Sequence, residues 1–216
     1  NLTIIDAKLT MNAPESVIIS SAMDTLVHCV DSFGSVKHSP ISRMYAIEGF
    51  RSTFKVLFHE NHMDINFRNN LAIGAICGIT ALMNSGDGPT NGFAYYLGVK
   101  HKVPHGLAGA IFLKEVMNYN VQFKNYGDYY RLIKDRESLY NEKDKLSITM
   151  ELMDKFEILY DNLKIPNLSK YGFTKKERND FVNKSMNALA GSFSGNPVEF
   201  GQDAVRHVYN QLIKEQ

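Results

Sequence analysis

The chain contains no tryptophan, only two cysteines and only six prolines in 216 residues. Cys29 and Cys77 each lie in an apolar run of helical period, which excludes a disulfide framework and a zinc-ribbon spacing and leads to the expectation of a reducing, cytoplasmic setting. An excess of either charge is missing as well: 24 basic and 23 acidic residues leave a formal net charge of +1. That balance argues against a polybasic nucleic-acid face and against an acidic disordered tail. No apolar run reaches the ~20 residues that a helical bilayer span requires. The opening NLTIIDAKLT has neither a basic leader nor a cleavage site. Nucleic acid and membrane are therefore not expected as partners. With no repeats or low-complexity tracts either, what remains is a chain 44% hydrophobic and long enough to bury a full core as one domain.

One strand-like run, LTIID at 2–6, opens the chain, and after it the apolar period is helical. A lone strand has no partner for its backbone groups, so residues 1–10 read as the end of a preceding domain and 11–216 as a single all-α domain. Asn12 and Pro14 introduce a helix that carries Ile19, Ala22, Met23, Leu26, Val27, Val30 and Phe33 and stops at Gly34. A second helix starts at Ser39-Pro40. A third covers 67–84, where Ala72, Gly74, Ala75 and Gly78 permit close packing. SGDGP and KVPHG then break the pattern on either side of a short helix, and another begins near His105. Further helices are expected at 126–135, 144–163, 174–191 and 201–215, the third opened by a Thr174–Glu177 capping box.

The stretch MDTLVHCVDSF places Asp24 and His28 four residues apart, on one side of a helix and one turn from each other. Such a pair is compatible with a shared metal ion and with a structural hydrogen bond alike. His105 sits between Pro104 and Gly106 where a helix starts, a rigid setting for a ligand that meets an ion held by another helix. The plainer reading of Pro-His-Gly is a helix-start turn whose histidine is satisfied locally.

Taken in order, MDTLVH, NGFAYYLG and VPHG resemble the signature of the C-terminal helical domain of the iron-containing, metal-dependent alcohol dehydrogenases, whose relatives include glycerol dehydrogenase and dehydroquinate synthase. KIPNLSKYGFTKKE and FSGNPVEF look like that family's late Ile-Pro turn and Asn-Pro motif, so the resemblance covers nearly the whole chain. It implies an all-α helical bundle in which Asp24, His28 and His105 bind a divalent metal, iron or zinc. Where the family has its third ligand histidine this chain has Asn91, and where that short helix has a further histidine it has Tyr95. An amide oxygen is a neutral, hard ligand better suited to Mg²⁺ or Ca²⁺, so affinity for iron or zinc is expected to fall or shift. Tyr95 either relays a proton in place of an imidazole or simply packs. His101 replaces the missing ligand only if its loop bends back, and Lys100 and Lys102 beside it repel a cation or attract an anionic group. His38, His59, His62 and His207 read as surface residues.

The resemblance further implies hydride transfer between a small alcohol or aldehyde and a nicotinamide cofactor, NAD or NADP. The family's Gly-Gly-Gly-Ser phosphate loop has no counterpart in these residues, and SGDG at 85–88 follows a helix rather than a strand. The cofactor is therefore expected to be held mainly by an N-terminal α/β domain, and this chain alone is expected to be inactive. It reads as the metal and substrate side of an alcohol, sugar or polyol oxidoreductase, with pairing into a homodimer as such domains often do. The alternative is a domain that has lost the metal, with metal-free redox chemistry or a role in binding and assembly.

Overall fold

The structure is a computed structural model that describes residues 2–58, 64–123, 126, 128–134, 140–188 and 190–213. Among these residues there is no strand, and the fold is all helical. The strand expected at 2–6 does not form: the segment has no regular structure, and Leu2, Ile4 and Ile5 are exposed. Asp6 ends it by accepting a hydrogen bond from the Lys8 amide, which caps a 3-10 turn at Ala7–Thr10.

Helix α1, Glu15–Gly34, is the central element. Its start departs from the expectation: Pro14, with extended backbone, is the N-cap, and Asn12 lies in the turn before it. Apolar residues at helical spacing bury Met23, Leu26, Val27, Val30 and Phe33 almost completely. Helix α2, Pro40–Val56, begins where expected, with Ser39 and Ser42 capping one another reciprocally. Helix α3, Ile65–Ser85, is capped by Asp64 and presses against α2 so closely that a Cβ on Gly74 would stand 2.1 Å from Thr53 Oγ1. Helices α4, Pro89–His101, and α5, His105–Asn120, follow the two breaks, and Lys102 between them adopts a left-handed conformation.

The helix expected at 126–135 is only a 3-10 turn at Tyr129–Leu132 among the described residues, because Asp128 before it takes a left-handed backbone that cannot continue a helix. Helix α6, Glu142–Leu163, is opened by an Asn141–Asp144 capping box. The helix expected at 174–191 opens with a 3-10 turn at Lys175–Glu177 and is described as α7 at Arg178–Ala188 and α8 at Ala190–Phe193, residue 189 lying outside the described residues; the Thr174–Glu177 capping box is present. Helix α9, Gln202–Leu212, is the last regular element among the described residues, and residues 214 and 215 of that expected helix lie outside them, as do His59 and His62.

Two apolar cores result. Helices α1, α2, α3 and α6 enclose the first, around Phe33, Phe50, Phe54 and Phe156. The second gathers α4, α7 and α9 around Phe93, Phe112, Phe181 and Tyr209, with Phe93 and Phe112 stacked at 4.5 Å. Helix α5 serves both, with Ala110, Leu113 and Met117 in the first core and Ala108, Ile111 and Phe112 in the second. The seam where α1, α4 and α5 meet is therefore fixed from two sides, and the chemistry-bearing residues stand there. Among the described residues no helix is long and apolar enough to cross a membrane.

Candidate metal centre

Three side chains converge on the seam. Asp24 and His28 project one turn apart from α1, and His105 is the first residue of α5. One ligand atom from each lies within 4.8 Å of the others. His28 Nε2 stands 3.8 Å from Asp24 Oδ2, and His105 Nε2 stands 3.7 Å from Asp24 Oδ1. These separations are too long for hydrogen bonds and suit donors arranged around a common centre.

The packing of α5 on α1 brings this about. Gly106 lies so close to α1 that a Cβ there would be 1.9 Å from Ser20 O and 2.7 Å from Asp24 Cβ. Only a residue without a side chain lets the start of α5 reach the Asp24 turn, so the Gly that follows His105 is what brings its imidazole to the carboxylate.

Asn91 reaches the same point from α4. Its Oδ1 lies 3.2 Å from His105 Nε2, and the residue is buried. Tyr95, one turn further along α4, sets its ring edge-on to that of His105 at 5.2 Å and is half exposed. All five residues singled out from the sequence, Asp24, His28, Asn91, Tyr95 and His105, thus meet in one place. His101 does not join them: it packs its ring on Phe173 at 4.5 Å. Lys100 is engaged as well, donating to the Tyr96 hydroxyl and to Asp180. Two of the histidines expected at the surface are partly held: His38 Nδ1 lies 2.6 Å from Ser35 O, and His207 packs against Tyr119.

Two acids in the site's walls were not singled out from the sequence. Asp31, seven residues after Asp24, lies on the same face of α1 and is buried. It accepts hydrogen bonds from Thr90 Oγ1 at 2.9 Å and from the Asn91 amide at 3.4 Å. Burial pushes its carboxyl pKa up to about 7, against the opposing pull of those hydrogen bonds. The available signal was an acid inside the otherwise buried run of Val30, Ser32 and Phe33. Asp87, in the SGDGP turn, accepts from Ser192 Oγ at 2.7 Å and so ties that turn to α8.

The residues present fit a bound cation. Asp24 Oδ1 is buried without a hydrogen-bond partner, which is costly for a carboxylate oxygen unless a positive charge faces it. Desolvation holds the His28 pKa below the ordinary histidine value, although Asp24 draws it upward. A neutral imidazole with a free lone pair is the form that ligates. One carboxylate and two imidazoles are the donor types of iron and zinc sites, and the exposed flanks of His105 and Tyr95 leave one side open to solvent.

The profile of the Fe-containing alcohol dehydrogenase family, C-terminal, matches residues 18–213. The chain belongs to this family. Among curated members, it is 28% identical over 160 residues to long-chain-alcohol dehydrogenase 1 of Geobacillus thermodenitrificans, covering 72% of this chain and 40% of that protein. It is 23% identical over 215 residues to the NADPH-dependent butanol dehydrogenase of Clostridium saccharobutylicum, covering 97% of this chain and 54% of that one. A crystal structure of 1,3-propanediol oxidoreductase superposes with a TM-score of 0.84 at 19% identity, covering 96% of this chain and 55% of the other. At that identity the likeness establishes the fold alone, and it is the all-α bundle expected from the sequence. The chain spans about half the length of these relatives.

Proposed function

We propose that this domain forms the metal and substrate side of an NAD(P)-dependent alcohol oxidoreductase acting on a small alcohol or its aldehyde. The observation that carries the reading is the convergence of Asp24, His28 and His105 around a carboxylate oxygen that is buried and unpartnered. Asp24, His28 and His105 would hold a divalent iron or zinc ion, with the Asn91 amide oxygen beside them. Such an ion, when bound, supplies Lewis-acid polarisation of the substrate oxygen.

The chain's own residues supply the remaining work. Burial opposes protonation of His28, which favours the neutral ring whose nitrogen can act as a donor to an ion. Asn91 Oδ1 accepts from His105 Nε2 and so holds the imidazole at the site while no ion is bound, and the same oxygen is a donor for an ion once that nitrogen is free. Tyr95 stands on the open flank, where its hydroxyl can take the alcohol proton and pass it to solvent while the hydride leaves for the nicotinamide. In this reading residues 11–216 are a single metal and substrate domain in a cytoplasmic enzyme. The cofactor is held mainly by an adjoining α/β domain, and the 216-residue chain alone is inactive.

The test is NAD(P)H formation from short primary alcohols by this domain joined to a nicotinamide-binding α/β domain. Turnover that falls to background in His105→Ala is expected; equal turnover in the two proteins contradicts the reading. A second reading is favoured by Asn91 and Tyr95 themselves, which replace two imidazoles with an amide and a phenol: redox chemistry without a metal, or a binding role. Turnover that survives both His105→Ala and exhaustive chelation would support its redox form.

A further inference from the structure

Helix α4 has a defect at its start that the fold repairs from outside. Its N-cap is Gly88, which has no side chain to accept from the first turn, and no cap hydrogen bond comes from within the helix. Asp31 of α1 fills that role across the seam: its carboxylate takes the Thr90 hydroxyl and the Asn91 amide, and the Gly88 amide also faces it. The fit is close, since a Cβ on Gly88 would stand 2.6 Å from Asp31 Cγ. A carboxylate at a helix N-terminus is also favoured by the helix dipole. Residues 24, 28 and 31 share one face of α1, so the helix that presents two ligands also grips the backbone of the residue presenting the amide.

We infer that Asp31 is the positioning residue of this centre, a borrowed helix cap that sets Asn91 Oδ1 against His105 Nε2. It touches neither metal nor substrate and acts through the Asn91 backbone. Removing it frees the first turn of α4, and the Asn91 side chain withdraws from the imidazole. The assignment rests on the metal reading above only for its effect on affinity.

The experiment compares wild type, Asp31→Ala, Asn91→Ala and the double variant in two measurements. The first reads the His105 imidazole nitrogens by NMR in metal-free protein. Asp31→Ala is expected to move them as Asn91→Ala does, with no further change in the double variant. Resonances unmoved in Asp31→Ala but moved in Asn91→Ala overturn the assignment, since a merely structural role lowers stability without touching the His105–Asn91 contact. The second is a Zn²⁺ titration, in which Asp31→Ala is expected to weaken binding by about 10–100-fold, the usual effect of losing a group that orients a ligand, here the Asn91 amide oxygen. That loss disappears in the Asn91→Ala background if Asp31 acts through Asn91; additive losses overturn the assignment. No Zn²⁺ binding by wild type sinks the metal reading, and the NMR arm still decides the role of Asp31. Should Asp31→Ala not fold, Asp31→Val, which removes the acceptor with a smaller cavity, carries the same measurements.

Discussion

Gly106 and Asn91 decide the site at the scale of single residues. Adding one methyl at Gly106 places a carbon inside the Ser20 carbonyl, so α5 must move off α1 and carry His105 away from Asp24. Overpacking of this kind costs about 1–3 kcal/mol. A chain of this length loses roughly 2–4 °C of melting temperature per kcal/mol. Gly106→Ala is therefore expected to melt several degrees lower and to bind Zn²⁺ more weakly, and a melt identical to wild type would show that the close approach is not needed. Asn91→His restores an imidazole beside His105 and is expected to raise Zn²⁺ affinity by at least ~10-fold, the lower end of what changes around ligands produce. Competition against a chromophoric chelator measures it, and no gain would mean that the pocket does not admit a third imidazole. The sequence made Asp24, His28, Asn91, Tyr95 and His105 legible because their motifs follow in a recognisable order. Asp31 was not legible, because its partners are backbone and side-chain groups about 60 residues away that only the packing of α4 on α1 brings near.

At the scale of elements, α4 depends on both of its ends. Its apolar face enters the second core through Phe93, which stacks on Phe112 and Phe181 and meets Phe193 edge-on. Phe93→Ala should cost about 3–5 kcal/mol, as such truncations do, with a matching loss in chemical denaturation; a change under ~1 kcal/mol would place Phe93 outside the core's energetics. Near the other end, Lys100 joins α4 to α7 through Asp180, which Lys184 also contacts. The hydrogen bonds from Lys184 and Lys100 hold the Asp180 carboxyl below the usual aspartate pKa. A depressed carboxylate stabilises the fold above its unfolded pKa, and that contribution is lost as pH falls through the folded value. Between pH 5 and acid the melting temperature of wild type is thus expected to fall more steeply than that of Asp180→Asn, and parallel curves would show that the tie contributes nothing. Helix existence was readable from apolar period and caps, as at Ser39 and Thr174. The misjudged boundaries, at Asn12 and at 126–135, turn on backbone conformations of Pro14 and Asp128 that carry little periodic signal.

At the scale of the whole molecule, two cores clamp one seam, and the helices that line it bring Asp24, His28 and His105 together. The fold class followed from composition and period, since a chain with helical spacing from residue 15 onward has no other economical way to bury its apolar faces. The meeting of α1, α4 and α5 was accessible only through the resemblance, because helical period alone does not say which helix lies against which. The matched relatives are about twice this chain's length, and the proposed division of labour leaves the metal half of the chemistry to this domain. Elemental analysis by plasma mass spectrometry tests that division most directly, on wild type and Asp24→Ala, after dialysis in metal-free buffer and after loading with Fe²⁺ or Zn²⁺. Near-stoichiometric metal is expected in wild type, with its loss in Asp24→Ala at unchanged helical content; no metal in wild type under either condition, or equal metal in both proteins, would contradict a metal centre built on Asp24, His28 and His105.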